Sequence, residues 1–176
     1  MGQGIRRALL ALAVVALGAG GVWASAVPAA EQDVVTVERM SMGLARDIAQ
    51  GAVAACREKG YQVTAAVVDR AGDPQVIMRD VYAPEVSYRI AKQKAYTAVM
   101  FTAATAEVLR SREGIGGTMN HVEGLLFAAG GIPVETGGGS MIGAVGVSGA
   151  PGGDIDASCA QAGLDAVADR LQFGGL

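Results

Sequence analysis

The side chains with chemistry to offer are few, and most fall in the middle of the chain. His121 is the single histidine, and Met119 stands two residues before it in Gly116-Gly117-Thr118-Met119-Asn120-His121. Imidazole and thioether both ligate haem iron. A lone histidine in a loop is ordinarily a surface residue. What favours a binding role is its place in a long irregular stretch, 113–124, broken by Gly114, Gly116 and Gly117, because such loops often carry function. A second group, Arg79, Arg89, Lys92 and Lys94, brackets a strand and a helix. Helical spacing makes Arg89 and Lys92 neighbours and turns Lys94 away. The pair suits the carboxylates of a ligand, although a solvated helix face explains it as well. Glu85, Glu113 and Glu123 are too scattered for a paired-carboxylate site.

The glycine-rich run 137–149 has neither the Gly-Lys-Ser/Thr ending of a phosphate loop nor the spacing of a dinucleotide fingerprint. Gly146-Val147-Ser148-Gly149 misses a nucleophile elbow by one position. Its plain reading is a hairpin turn, a strand packed closely on a helix, and a turn into the last helix. The other reading is a backbone anion site before Asp154.

Composition removes several functions. The chain has 176 residues, 18% of them charged, and a formal net charge of -3. That balance is wrong for nucleic acid, which needs a basic face to neutralise phosphates. Two cysteines and one histidine cannot alone complete the usual tetrahedral zinc site. A hydrophobic content of 51% argues for a folded domain.

The elements that must position these residues follow from pattern. Residues 41–59 read as a helix capped by Ser41, with Leu44, Ile48, Ala52, Ala55 and Cys56 on one face and Gly60 ending it. Residues 63–69 and 75–79 read as a hairpin about the turn Asp69-Arg70-Ala71-Gly72-Asp73-Pro74. Helices follow over 87–104 and 105–112, then short strands over 125–128, 132–135 and 141–147, and a closing helix over 154–171. The order α-β-β-α-α-β-β-β-α lacks the alternation of a doubly wound parallel sheet. It predicts one α/β domain, an antiparallel sheet covered by helices.

The first thirty residues stand apart. Arg6 and Arg7 precede an uncharged apolar run over 8–23, and Ala24-Ser25-Ala26 has the form that signal peptidase accepts. The run of about 16 residues is short of the roughly 20 that cross a bilayer. This predicts a signal peptide over 1–30, cut after Ala26 or Ala30, and a domain over 31–176. The alternative is an uncleaved anchor. Without Arg6 and Arg7 the chain carries 12 basic against 17 acidic residues. Cys56 and Cys159 would then meet an oxidising compartment. A bridge between them would close a loop of about 100 residues; two buried, inert thiols are the alternative.

Several ordered segments resemble the GlcG/HbpS family. They are Val67-Val68-Asp69-Arg70-Ala71-Gly72, Arg79-Asp80 with Ala83, Ser87, Ala91, Lys94-Ala95 and Thr97-Ala98. In the second half they are Gly130-Gly131-Ile132-Pro133, Gly143-Ala144-Val145-Gly146-Val147-Ser148-Gly149, Asp154 and Ala160. The resemblance spans about residues 38–171. It implies a profilin-like layer with a five-stranded antiparallel sheet, and homo-oligomers. It implies haem binding for exported members, a haem-degrading label, and kinship with domains fused to corrinoid adenosyltransferases.

The expectation is therefore an exported protein that binds haem or a related tetrapyrrole non-covalently, for scavenging, storage or sensing, in the periplasm or outside the cell. The absence of C-x-x-C-H excludes covalent c-type attachment. On chemical grounds His121 is the metal ligand, with Met119 and Thr118 as alternatives and Tyr82, Tyr88 and Tyr96 behind them. Arg79, Arg89 or Lys92 would hold the propionates, and Phe101 and Phe127 offer rings for stacking. Another reading is an enzyme using Asp69, Lys94 or Ser148 at a subunit interface, with His121 as base. A third is an accessory partner of an exported redox or sensor protein.

Overall fold

The computed structural model describes residues 33–111, 119 and 121–173. The predicted signal peptide, Thr118 and most of the 113–120 loop lie outside the described residues. All that follows belongs to the compact unit Thr36–Leu176.

Helix α1, Met42–Glu58, begins where Ser41 accepts a hydrogen bond from the Leu44 amide at 3.2 Å. Strands β1, Thr64–Asp69, and β2, Pro74–Arg79, form the expected hairpin. Its turn is held by the Asp69 carboxylate, which accepts from the Ala71 and Asp73 amides at 2.8 and 3.0 Å. Helices α2, Glu85–Phe101, and α3, Thr105–Ser111, come next, then β3, Gly131–Glu135, and β4, Met141–Ser148. The chain closes with α4, Gly153–Asp165, and α5, Ala168–Phe173.

The strands form one antiparallel sheet in the order β2-β1-β4-β3. One face packs on α1 and α4 through Ile48, Ala52, Val67, Val145, Val147 and Ala160. The other packs on α2 through Val68, Ala144, Ala95, Ala98 and Val99. The approach of α2 is close because Gly146 and Gly131 lie beneath it. A Cβ on Gly146 would strike the Ala91 carbonyl, and one on Gly131 the Lys94 carbonyl. The glycine-rich run thus has its packing role, a strand laid tightly under a helix.

Two expectations are corrected. Among the described residues the sheet has four strands, not five, because 125–128 is irregular. There the Leu126 amide donates to the buried Thr97 hydroxyl at 2.8 Å and the Ala128 amide turns back to the Leu126 carbonyl. Those donors are satisfied without a ladder partner. The closing helix breaks at Ala166–Val167, where the bend places Val167 in the core. The mixed α/β class holds.

Cys56 and Cys159 form a disulfide, with Cα atoms 5.5 Å apart, so the two-thiol alternative falls. It joins α1 to α4 where those helices cross at Gly51 and Gly163. Further along α1, Arg57 grips Asp80 in a two-point ion pair at 2.5 and 2.8 Å, and the Asp80 carboxylate also accepts from the Val81 amide. The hydrogen bonds from Arg57 hold the Asp80 carboxyl below its ordinary value. A depressed folded-state value contributes stability above the unfolded value, near 4, and loses it as pH falls through the folded one. In urea titrations from pH 7 downward, Asp80→Asn should be less stable than the parent at pH 7. The gap should narrow below about pH 4; a gap constant with pH would contradict the assignment.

Candidate functional site

Helix α2 presents a stripe of large side chains along one edge. Positions 85, 89, 92 and 96 recur at three- and four-residue intervals, so they share a face. Next to that stripe lie the β1–β2 turn and the segment at Glu123 and Gly124. The three enclose a groove of about 360 Å³, with Tyr88, Arg89, Lys92 and Tyr96 on the helix side. Gly72 and Asp73 face them from the turn, and Glu123 and Gly124 from that segment. This lies at the small end of the size range for ligand sites, about 300–1,000 Å³, and suits one edge of a larger planar molecule.

Tyr96 is the best-held side chain in the groove. Its ring lies against Gly72 and Gly124, both with left-handed backbone at φ +89° and +86°. A Cβ on Gly72 would sit 2.5 Å from Tyr96 Cδ2, and one on Gly124 3.3 Å from Cε1. Glycine is required twice over at the turn, by its φ and by the ring. The cations are looser. Arg89 stands 3.9 Å from Glu85 across an exposed helical turn, and the Lys92 ammonium makes no hydrogen bond or ion pair among the described residues.

The structure gathers some of the sequence candidates and scatters others. Arg89 and Lys92 share the groove. Arg79 does not: it pairs with Thr64 at the end of the hairpin far from the Gly72 turn, and its guanidinium donates to the Ala83 carbonyl at 2.6 Å. His121 is exposed, in a short turn closed by the Val122 amide on the Met119 carbonyl at 3.0 Å. It sits two residues before the groove wall rather than in it. Met119 is half-buried, and Phe101 packs edge-on against Phe127 with ring centres 5.5 Å apart. Sequence reasoning placed the tyrosines behind His121; the signal that could have promoted Tyr96 is its helical register with Lys92 and Arg89.

The residues of the enzyme reading have other occupations. The Asp69 carboxylate holds the turn, and Lys94 is buried in an ion pair with Asp156 at 2.7 Å. Ser148 pairs with Thr64 while Asp69 pairs with Gly143, so the two stand at opposite ends of β1, about 17 Å apart at strand spacing. A larger groove of about 630 Å³ lies between the start of α1 and α5, where Glu38 and Asp169 stand among Arg39 and Arg170. It contains none of the candidate residues. Among the described residues no group of three histidine, cysteine or acidic side chains is placed to hold a bare metal ion.

Comparison with known proteins places relatives along most of the domain. The model of a family described as haem degrading protein, HbpS-like, matches residues 40–165. The crystal structure of HbpS is 37% identical, with a TM-score of 0.71 over 79% of this chain and 97% of that one. Klebsiella pneumoniae protein ORFY is 26% identical, with a TM-score of 0.72 over 80% of this chain and 98% of that one. The complex of PduOC with haem is 28% identical, with a TM-score of 0.66 over 73% of this chain and 95% of that one. No curated protein matches the chain.

Proposed function

This chain belongs to the HbpS-like family, and from that premise we propose that it binds haem non-covalently after export, in a scavenging, storage or sensing role. The observation that carries the reading is the groove on α2. It sets two cations, Arg89 and Lys92, on the same helical face as two aromatic rings, Tyr88 and Tyr96. Arg89 and Lys92 would hold the two propionates, the rings would lie along the macrocycle, and oxygen donors are at hand for ferric iron. The donor set therefore fits the cofactor. Haem binding by a solved relative, PduOC, supports the reading.

Export rests on the leader pattern of residues 1–30 and draws support from the Cys56–Cys159 bridge, because structural disulfides persist in oxidising compartments. Among the described residues no helix is long and apolar enough to cross a membrane. A homo-oligomer is part of the same proposal. Val81, Tyr82 and Val86 are 72%, 81% and 45% exposed at the entry to α2, an apolar surface that a second copy would cover. An exported redox or sensor partner is the further expectation.

The test is a visible-spectrum titration of residues 31–176 with ferric haem. One-to-one saturation with a shifted Soret band is expected, and Arg89→Glu/Lys92→Glu should weaken binding by roughly 10-fold or more, the loss of two charge-assisted contacts. No saturable binding by the parent would overturn the reading.

A further inference from the structure

We propose that Tyr96, rather than His121, is the axial ligand of ferric haem in this groove; the inference rests on the haem reading above and names the atom that serves it. Three observations converge on the phenol. Tyr96 lines the groove, as Tyr88 does, while His121 is exposed outside it. The Tyr96 ring is fixed on two sides by Gly72 and Gly124, each of which would crowd it if it carried a side chain. Its hydroxyl has no hydrogen-bond partner among the described residues and is not fully buried.

A ligand already held in place loses little conformational freedom on coordination. Tyr88 is 41% exposed and lacks that clamp, which is why the assignment falls on Tyr96. Tyrosinate is an established donor to haem iron. On coordination the phenol oxygen forms the bond to ferric iron and its proton leaves to solvent, with no change of oxidation state. Lys92, four residues earlier, and Arg89, seven earlier, lie on the same helical face. Their positive charges favour the phenolate and the propionates, against the opposing carboxylates of Asp73 and Glu123 in the same groove. Gly124, beside Glu123 in the groove wall, completes the clamp on the ring.

Tyr96→Phe keeps the ring between the two glycines, so far-UV circular dichroism and thermal midpoint should match the parent. Visible and resonance Raman spectra of the ferric haem complexes are then compared for the parent, Tyr96→Phe, Tyr88→Phe and His121→Ala. The parent should show a phenolate-to-iron charge-transfer band with phenolate modes enhanced under it. That signature should vanish in Tyr96→Phe, with affinity down roughly 10-fold or more, and persist in the other two. Haem bound by Tyr96→Phe with the parent spectrum would overturn the assignment and leave the haem reading standing. No haem bound by the parent would overturn both.

Discussion

Lys94→Ala should destabilise the fold by about 3–5 kcal/mol, as expected when one partner of a buried ion pair is removed. The Lys94 ammonium lies 2.7 Å from Asp156 and 3.0 Å from the Val147 carbonyl, with both side chains about 95% buried at 4% and 5% exposure. The other Asp156 oxygen accepts from the Ala150 amide at 3.1 Å. Three elements meet at this point: α2, the end of β4 and the start of α4. Removing the lysine leaves a carboxylate with one amide donor and no counter-charge. The double variant Lys94→Met/Asp156→Asn keeps the volume, and its amide can still serve Ala150. Buried pairs replaced together by neutral groups of similar size often lose little, so more than half of the single-variant loss should return. Urea unfolding of the parent, both singles and the double gives the cycle. Additive losses would show that the two residues act separately.

Loss of the disulfide should be comparably large. The bridge separates residues 103 apart in sequence, and the chain-entropy account assigns about 4–5 kcal/mol to a loop of that length. Cys56→Ala/Cys159→Ala should therefore lower the thermal midpoint by roughly 10–20 °C, given the entropy of unfolding for a domain of this size. Both cysteines are fully buried, so the folded parent should resist mild reductants and become reducible only near its unfolding transition. A fall of a few degrees, or rapid reduction of the native protein, would contradict this.

Local signals in the chain were accurate where one residue settles the matter. Ser41 caps α1, Gly60 ends it with φ +82°, and the Asp69 turn closes its hairpin as the side-chain chemistry requires. The plain reading of the glycine run was also right, since the close approach of α2 to β4 needs Gly146. Long-range competition is what hid the rest. Residues 125–128 have strand-like composition, but the Thr97 hydroxyl, 29 positions away from Leu126, takes the amide that a ladder would use. The disulfide depended on α1 and α4 crossing at Gly51 and Gly163, which no local pattern reveals. Lys94 was correctly turned away from Arg89 and Lys92, yet its partner Asp156 read only as a charge suited to a helix start. Arg79 joined the cation group through nearness in sequence, while the hairpin register carries it to the far end of the sheet. The cation pair Arg89 and Lys92 was thus visible, with Tyr88 and Tyr96 ranked behind His121; the clamp on Tyr96 was not, because its two glycines come from separate loops.

The central claim is that haem sits in the α2 groove, and paramagnetic broadening of amide signals reads that position directly. In ¹⁵N spectra of residues 31–176 with one equivalent of ferric haem, the amides of Gly72, Lys92, Gln93 and Gly124 should broaden first. Those of Leu44, Thr136 and Leu171, in the groove between α1 and α5, should keep their intensity. Broadening centred on the latter set, or none at either place, would contradict the account.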